Sequence, residues 1–409
     1  MKRSFLAGIL GNLTEHYDSA LYAMLAPILA PHFFPYDPLT SLILTFAIMP
    51  LGMLTRPLGA LFFGYIGDTY GRRRALFLSL SGMAITTTLM GSLPTYQTVG
   101  FFAPILLALG RIFQNFFASG ETSGGAIFVL EESMSREKNL LSSLYSCSTI
   151  LGILIASFAV TVISYFGWIE SGWRYLFFLG SIAGIFGLYI RRDAPIKMVD
   201  KKKTNPLGLL KKYPHEILSI MLVSGFSYTI YAFCTSFMNG FLPLIASVSN
   251  TGAMGLNTTI LLLDLAVLPL FGILADRFSK ERVMGISSLA AALFAPLLFL
   301  SLKDASLMQA STIRVFFVLI GACFAAPFHF WAVSLVPKEN RYLIISFSVA
   351  VGSQIIGAPS AALGLWLYKS TGYTFAPAIY LSLTAFLASG AIYLSTKRVR
   401  TLSFVKNET

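Results

Sequence analysis

Apolar runs of about 20 residues recur along the whole chain, separated by short polar or charged stretches. Each can cross a hydrocarbon core of about 30 Å as a helix. Twelve are read, at about 5–31, 39–66, 75–93, 101–130, 140–166, 173–191, 215–247, 255–276, 284–302, 308–336, 342–368 and 374–396. Several exceed the minimum, which predicts tilt or extension past the bilayer. A helix satisfies its backbone internally and an open sheet does not, so the pattern predicts an all-α membrane protein of twelve transmembrane helices. They fall into two six-helix bundles, an N-terminal one over 1–192 and a C-terminal one with a short tail over 214–409. Residues 193–213 are polar, Lys-rich and broken by prolines, and read as a linker between them.

Composition sharpens this. Of 409 residues, 56% are hydrophobic and 12% charged, against about 25% charged in a soluble domain. The net charge of +12 would suit nucleic acid, but its placement argues otherwise. Basic residues gather at Lys2 and Arg3, in alternate loops (Arg72–Arg74, Arg136 with Lys138, Arg191 through Lys212, Arg277–Arg282, Lys338 with Arg341) and at Lys397, Arg398, Arg400 and Lys406. The other loops offer Arg174, Lys303 and Lys369. This asymmetry predicts that both termini are cytoplasmic. Cys147, Cys234 and Cys323 lie inside predicted spans with no metal-ligand spacing, so a packing role is expected. The start MKRSF has no small-residue cleavage site after a short apolar core and reads as an uncleaved first helix. Asn257-Thr-Thr259 fits a glycosylation pattern in an outside loop.

Residues 64–74 read GYIGDTYGRRR and residues 272–282 read GILADRFSKER, 208 positions later. Gly64 matches Gly272, Asp68 matches Asp276, Arg72 matches Lys280 and Arg74 matches Arg282. A charged hinge repeated once per half-chain points to a transporter of two similar halves. Gly64, Asp68, Gly71, Arg72, Arg73, Asp276, Arg277 and Lys280 are the gating candidates. The two aspartates can pair across their loops or meet a neighbouring helix N-terminus. Small-residue spacings at Gly59/Gly64, Gly120/Gly125 and Gly352/Gly357 suit close helix contact.

Charge inside a span is costly unless paired or hydrated. In the first span Asn12, Glu15, Asp18, Ser19 and Tyr22 form a polar stripe on one helix face. Glu15 lies eleven residues from Ser4, roughly 16 Å along and near the midplane. Two carboxyls one turn apart in low dielectric do not both ionise easily, so one is expected to hold a proton. The alternative is a static pair neutralised by an arginine elsewhere. His16 points off the stripe, toward the interior or a neighbouring helix. Span 2 contributes Arg56; span 4 contributes Arg111, with Asn115 on the same face and Glu121 aligned with Gln114. A buried guanidinium stays charged, so each needs a carboxylate from protein or substrate. The second half offers Asp264 near mid-span, His329 near the inside end, and Arg314 close enough to the outer boundary to snorkel.

With these residues in view, the chain resembles the major facilitator superfamily, whose signature G-x-x-x-D-R-x-G-R-R lies between helices 2 and 3. More narrowly it is similar to the metabolite–proton symporters, which include carriers of proline and betaine, ketoglutarate, citrate and shikimate. That family's first-span pattern is met by Gly11, Asn12, Glu15, Tyr17, Asp18 and Tyr22. Its R-P-x-G-A-x-x-F-G-x-x-G-D run is met by Arg56, Pro57, Gly59, Ala60, Phe63, Gly64, Gly67 and Asp68. Gly120, Glu121, Gly124, Gly125 and Ala126 meet its span-4 motif, and Pro337 to Tyr342 its P-x-x-x-R-Y. Departures are His16 for tryptophan, Ser19 for phenylalanine, Thr69 for the first hinge arginine, and Asn115 for the glycine of R-x-x-Q-G. Arg277 keeps the arginine in the second hinge.

The resemblance implies the major facilitator fold and a proton-coupled symporter importing a small organic acid or zwitterionic metabolite by alternating access. It places Arg111 in the proton-coupling machinery and Arg56 with Glu15 and Asp18 in the central cavity. With the intramembrane residues read above, the proton-coupling candidates are Glu15, Asp18, Arg111 and Glu121, and the substrate candidates Asn12, Glu15, Asp18, Tyr22, Arg56, Asn115 and Asp264. The proton is the coupling ion and no other cofactor is expected. Expected partners are a carboxylate-bearing solute and the lipid bilayer of the plasma (inner) membrane, with a monomer sufficient for function. An uncoupled uniporter or exchanger shares the fold, and a solute sensor would retain the cavity. An enzyme is the least expected, since no His-Glu-x-x-His, nucleophile constellation or nucleotide loop is present.

Overall fold

The computed structural model describes residues 2–48, 52–191, 205–248 and 250–407. These residues are helical, with no strand among them. In the first half the helices are α1 (Lys2–Phe33), α2 (Pro38–Ala47), α3 (Gly52–Thr69), α4 (Arg72–Ser92), α5 (Tyr96–Val99), α6 (Phe102–Glu132), α7 (Lys138–Tyr165) and α8 (Ile169–Arg191). In the second they are α9 (Pro206–Lys212), α10 (Pro214–Ala232), α11 (Met238–Ile245), α12 (Asn250–Phe278), α13 (Lys280–Leu300), α14 (Leu307–Ala325), α15 (Phe328–Leu335), α16 (Arg341–Gly352), α17 (Ser360–Thr371) and α18 (Ala376–Asn407). Single π-helical turns, Phe233–Phe237 and Ser353–Gly357, join α10 to α11 and follow α16.

Among the described residues, nine helical stretches are long and apolar enough to cross a membrane, Arg72–Ser92, Pro214–Ile245 and Lys338–Thr371 among them. α1, α2 with α3, and α8 occupy the three other predicted positions. Asn12, Glu15 and Asp18 dilute the apolarity of α1, and residues 49–51, outside the described set, divide the second span. Residues 192–204, most of the expected linker, and the side chains of Lys2, Arg3, Arg400 and Lys406 also lie outside it.

Two compact units result: residues 1–134 with 148–206, and 135–147 with 207–409. The segment 135–147, read above as part of the first bundle, groups with the second unit. In the first unit Tyr17, Leu21 and Leu25 of α1 pack with Trp173 and Phe177 of α8. In the second an aromatic stack joins Phe233, Phe237 and Phe241 to Phe299.

Glycine sets one helix approach in each unit. A Cβ on Gly59 would strike the carbonyl of Phe116 and the hydroxyl of Ser119; one on Gly352 would strike the carbonyl of Met221 and the hydroxyl of Ser224. The hinge turns also correspond. Gly71 sits at φ 102° before α4, and Ser279, 208 positions on, sits at φ 113° before α13, its hydroxyl accepting from the Arg282 N–H.

Candidate functional site

In the first unit the polar face of α1 divides between two networks. Glu15 is almost fully buried, and its Oε1 accepts from Arg56 Nη2 of α3 at 2.8 Å. Arg56 Nη2 also reaches Ser19 Oγ at 3.3 Å, and Nε donates to Asn115 Oδ1 of α6 at 3.1 Å. Arg56 Nη1 has no acceptor among the described residues. Asn115 turns its amide nitrogen back to the Arg111 carbonyl at 3.0 Å. His16 Nδ1 lies 2.7 Å from Glu15 Oε2 and 2.9 Å from the Asn12 carbonyl. The bond is directed at the carbonyl, so Glu15 Oε2 gains only a charge contact, present when His16 is protonated.

Asp18, three residues on, turns away from Arg56. Its Oδ2 accepts from Thr87 Oγ1 of α4 at 2.6 Å; Thr87 accepts from Gln114 Nε2 at 3.1 Å, and Gln114 Oε1 accepts from Arg111 Nη1. Donation thus runs one way, from the guanidinium of Arg111 to the carboxylate of Asp18. No carboxylate lies within ion-pair distance of Arg111 among the described residues, so its expected acidic partner is reached through two neutral side chains. The guanidinium stacks over Tyr22, 4.2 Å from the ring centroid, and the Tyr22 hydroxyl donates to the Thr45 carbonyl at 2.9 Å. Asp18 Oδ1 and Arg111 Nε are buried without a hydrogen-bond partner.

Asn12 donates to Ser148 and Thr149 of α7 at 2.8 and 2.9 Å. Glu121 is fully buried in α6, ten residues or roughly 15 Å beyond Arg111. Asp264 lies half-buried in α12 of the second unit. Thr87, the partner of Asp18, is not among the sequence candidates; the run Thr86-Thr87-Thr88 inside an otherwise apolar span is the signal that could have raised it.

In the second unit Arg314 is fully buried, which removes the snorkelling alternative. Its Nη2 donates to the Cys234 carbonyl at 2.7 Å and to Asn239 and Asn257 Oδ1, each at 3.1 Å. The π turn frees that carbonyl from a regular helical bond. Asn257 therefore lies in α12 with its amide oxygen on a buried arginine, which overturns the reading of Asn257-Thr-Thr259 as an outside-loop glycosylation site.

The hinges complete the geometry. Asp68 is buried and pairs with Arg72, which also donates to the Gly67 carbonyl at 3.0 Å and reaches Glu131 at 3.4 Å. Asp276 instead accepts from the backbone N–H groups of Asn139 and Leu140, each at 3.0 Å, and from the Asn139 amide at 2.8 Å. Those donors are the first turn of α7, where a carboxylate is favoured. Gly64 lies in α3 and Arg73 in the first turn of α4; Arg277 is exposed, and Lys280 sits over the Phe330 ring at 4.8 Å.

Comparison with known proteins agrees with this architecture. The family model described as Major Facilitator Superfamily matches residues 9–251. A putative proline/betaine transporter of Staphylococcus aureus (strain COL) is 30% identical over 420 residues, covering 97% of this chain and 89% of the relative. The proline/betaine transporter of Salmonella typhimurium is 30% identical over 412 residues, covering 94% and 81%. Among solved structures, the proton:xylose symporter XylE superposes with a TM-score of 0.76 at 16% identity, covering 96% of this chain and 94% of that one. The E. coli fucose:proton symporter FucP gives 0.72 at 11% identity, covering 96% and 98%. The relatives and the fold are those of transporters, not enzymes. This chain, an all-α membrane protein of twelve spans in two six-helix bundles, belongs to the Major Facilitator Superfamily.

Proposed function

We propose that this transporter is a proton-coupled symporter importing a small carboxylate-bearing solute, an organic acid or a zwitterionic osmolyte, by alternating access. The observation that carries this reading is Arg56. It sits inside a membrane helix, held on one side by Glu15, Ser19 and Asn115, with Nη1 left to receive an acceptor. A substrate carboxylate fits that nitrogen, because charge-assisted pairing to guanidinium is strong and directional. Protonation of Glu15 loosens its hold on Arg56 and frees the guanidinium for the solute. Asp18, Arg111 and Glu121 supply further proton-carrying and counter-charge groups, Asn12 and Tyr22 shape the polar face, and Asp264 is a substrate group of the second unit. The proline/betaine names of the relatives support a small zwitterion as cargo. The distribution of basic residues supports cytoplasmic termini in a plasma (inner) membrane, and one copy carries every group invoked.

Proline and glycine betaine uptake into proteoliposomes is expected to rise with an imposed inward proton gradient; uptake indifferent to that gradient would leave a uniporter or exchanger instead. Glu15→Gln should abolish accumulation while sparing exchange. Accumulation equal to wild type would remove Glu15 from the proton path.

A further inference from the structure

We infer that Asp264 and the ring of Tyr231 form, within the second unit, a subsite for a small organic cation such as a substituted ammonium group. Asp264 stands near the middle of α12, and no described residue reaches its carboxylate by hydrogen bond or ion pair. A carboxylate at that depth calls for a counter-charge. The guanidinium of Arg314 is engaged at Asn257, seven residues or roughly 10 Å along the same helix. Arg314 Nη2 ties the Cys234 carbonyl to Asn257. Tyr231 lies one turn before Cys234, while Asp264 lies two turns after Asn257 on the next, returning helix, which brings the two to the same level. The Tyr231 hydroxyl has no partner among the described residues. Cys147 borders the same stretch of α12, its thiol 3.7 Å from the Leu265 carbonyl. The described residues hold no group of three His, Cys, Asp or Glu able to take a metal ion.

A carboxylate beside an aromatic face suits a quaternary ammonium. The acid meets its charge, and the ring attracts a cation that cannot donate a hydrogen bond. A proton would neutralise Asp264 without using the ring. The π turn displaces the helix after Tyr231 from regular α packing. This inference rests on the small-solute reading above and concerns the positive charge of a zwitterion, which a guanidinium does not bind.

The test measures binding to the purified full-length protein with three probes: tetramethylammonium, glycine betaine and tert-butylacetate. The last keeps the shape and carboxylate of glycine betaine without its positive charge. Asp264→Asn should weaken tetramethylammonium and glycine betaine about tenfold or more, with a much smaller effect on tert-butylacetate and an unchanged ligand-free melting temperature. Asp264→Glu should recover part of the loss, and Tyr231→Leu should lose more than Tyr231→Phe.

Glycine betaine binding equal in wild type and Asp264→Asn overturns the subsite. A wild type that ignores tetramethylammonium does the same. Wild-type protein that binds tert-butylacetate as well as glycine betaine also overturns it, yet leaves the carboxylate reading standing. Asp264-dependent tetramethylammonium binding with no response to either carboxylate keeps the subsite and removes the carboxylate reading. Altered pH dependence of uptake with intact betaine affinity in Asp264→Asn would assign the residue to the proton and overturn the cation subsite.

Discussion

Each unit carries an arginine inside a membrane helix, Arg56 partly buried and Arg314 fully so, and the two are held by opposite chemistry. Arg56 of the first unit meets the carboxylate of Glu15 and keeps Nη1 available. Arg314 of the second is fully buried, and its Nη2 serves three neutral oxygens, one of them released by a π turn. A carboxylate changes its grip when it gains a proton; carbonyl and amide oxygens do not titrate. The first arrangement can therefore exchange partners when its carboxylate is protonated, whereas the second fastens α14 to the π turn, α11 and α12. Burial alone does not identify a working charge. What identifies it is a partner whose charge can change.

The sharpest way to break this contrast is to remove each guanidinium. Arg56→Met should reduce uptake on the order of 100-fold, the equivalent of about 3 kcal/mol of charged hydrogen bonding, with little change in melting temperature. Arg314→Met should instead lower stability by about 2 kcal/mol, because three acceptors lose a charged donor. Thermal melting in detergent checks this, and an Arg314→Met protein that melts like wild type yet fails to transport would reverse the contrast. Asn115→Ala should weaken substrate binding about tenfold, since the orienting acceptor of Arg56 Nε contributes about 1.4 kcal/mol; the reading is KM in an uptake assay. The smallest effect concerns the hinges. Ser279→Gly relieves a backbone conformation that side chains rarely adopt but forfeits a cap, for a net gain of about 1 kcal/mol, and Gly71→Ser should lose a similar amount.

Much of this was legible in the order of residues. The twelve apolar runs announce the spans, and the i,i+4 spacing of Asp68 and Arg72 announces their pairing. The stripe on α1 is equally plain. What periodicity cannot supply is rotation about neighbouring axes, so nothing in the chain tells Glu15 to meet Arg56 while Asp18 meets Thr87. Arg111 likewise invites a direct acidic partner, and only packing reveals Gln114 and Thr87 standing between. Asn257 misled for a related reason: a local three-residue pattern was read without the helix that carries it.

The π turn at Phe233–Phe237 amounts to one residue more than a regular helix needs over that stretch. Deleting a residue there would restore plain α geometry and swing everything downstream through about 100°. Asn239 would then rotate off Arg314 although no residue touching the guanidinium had been replaced. A comparison of related chains column by column would record a single gap at this position and nothing else, while Arg314 would have lost one of the three oxygens that hold its Nη2.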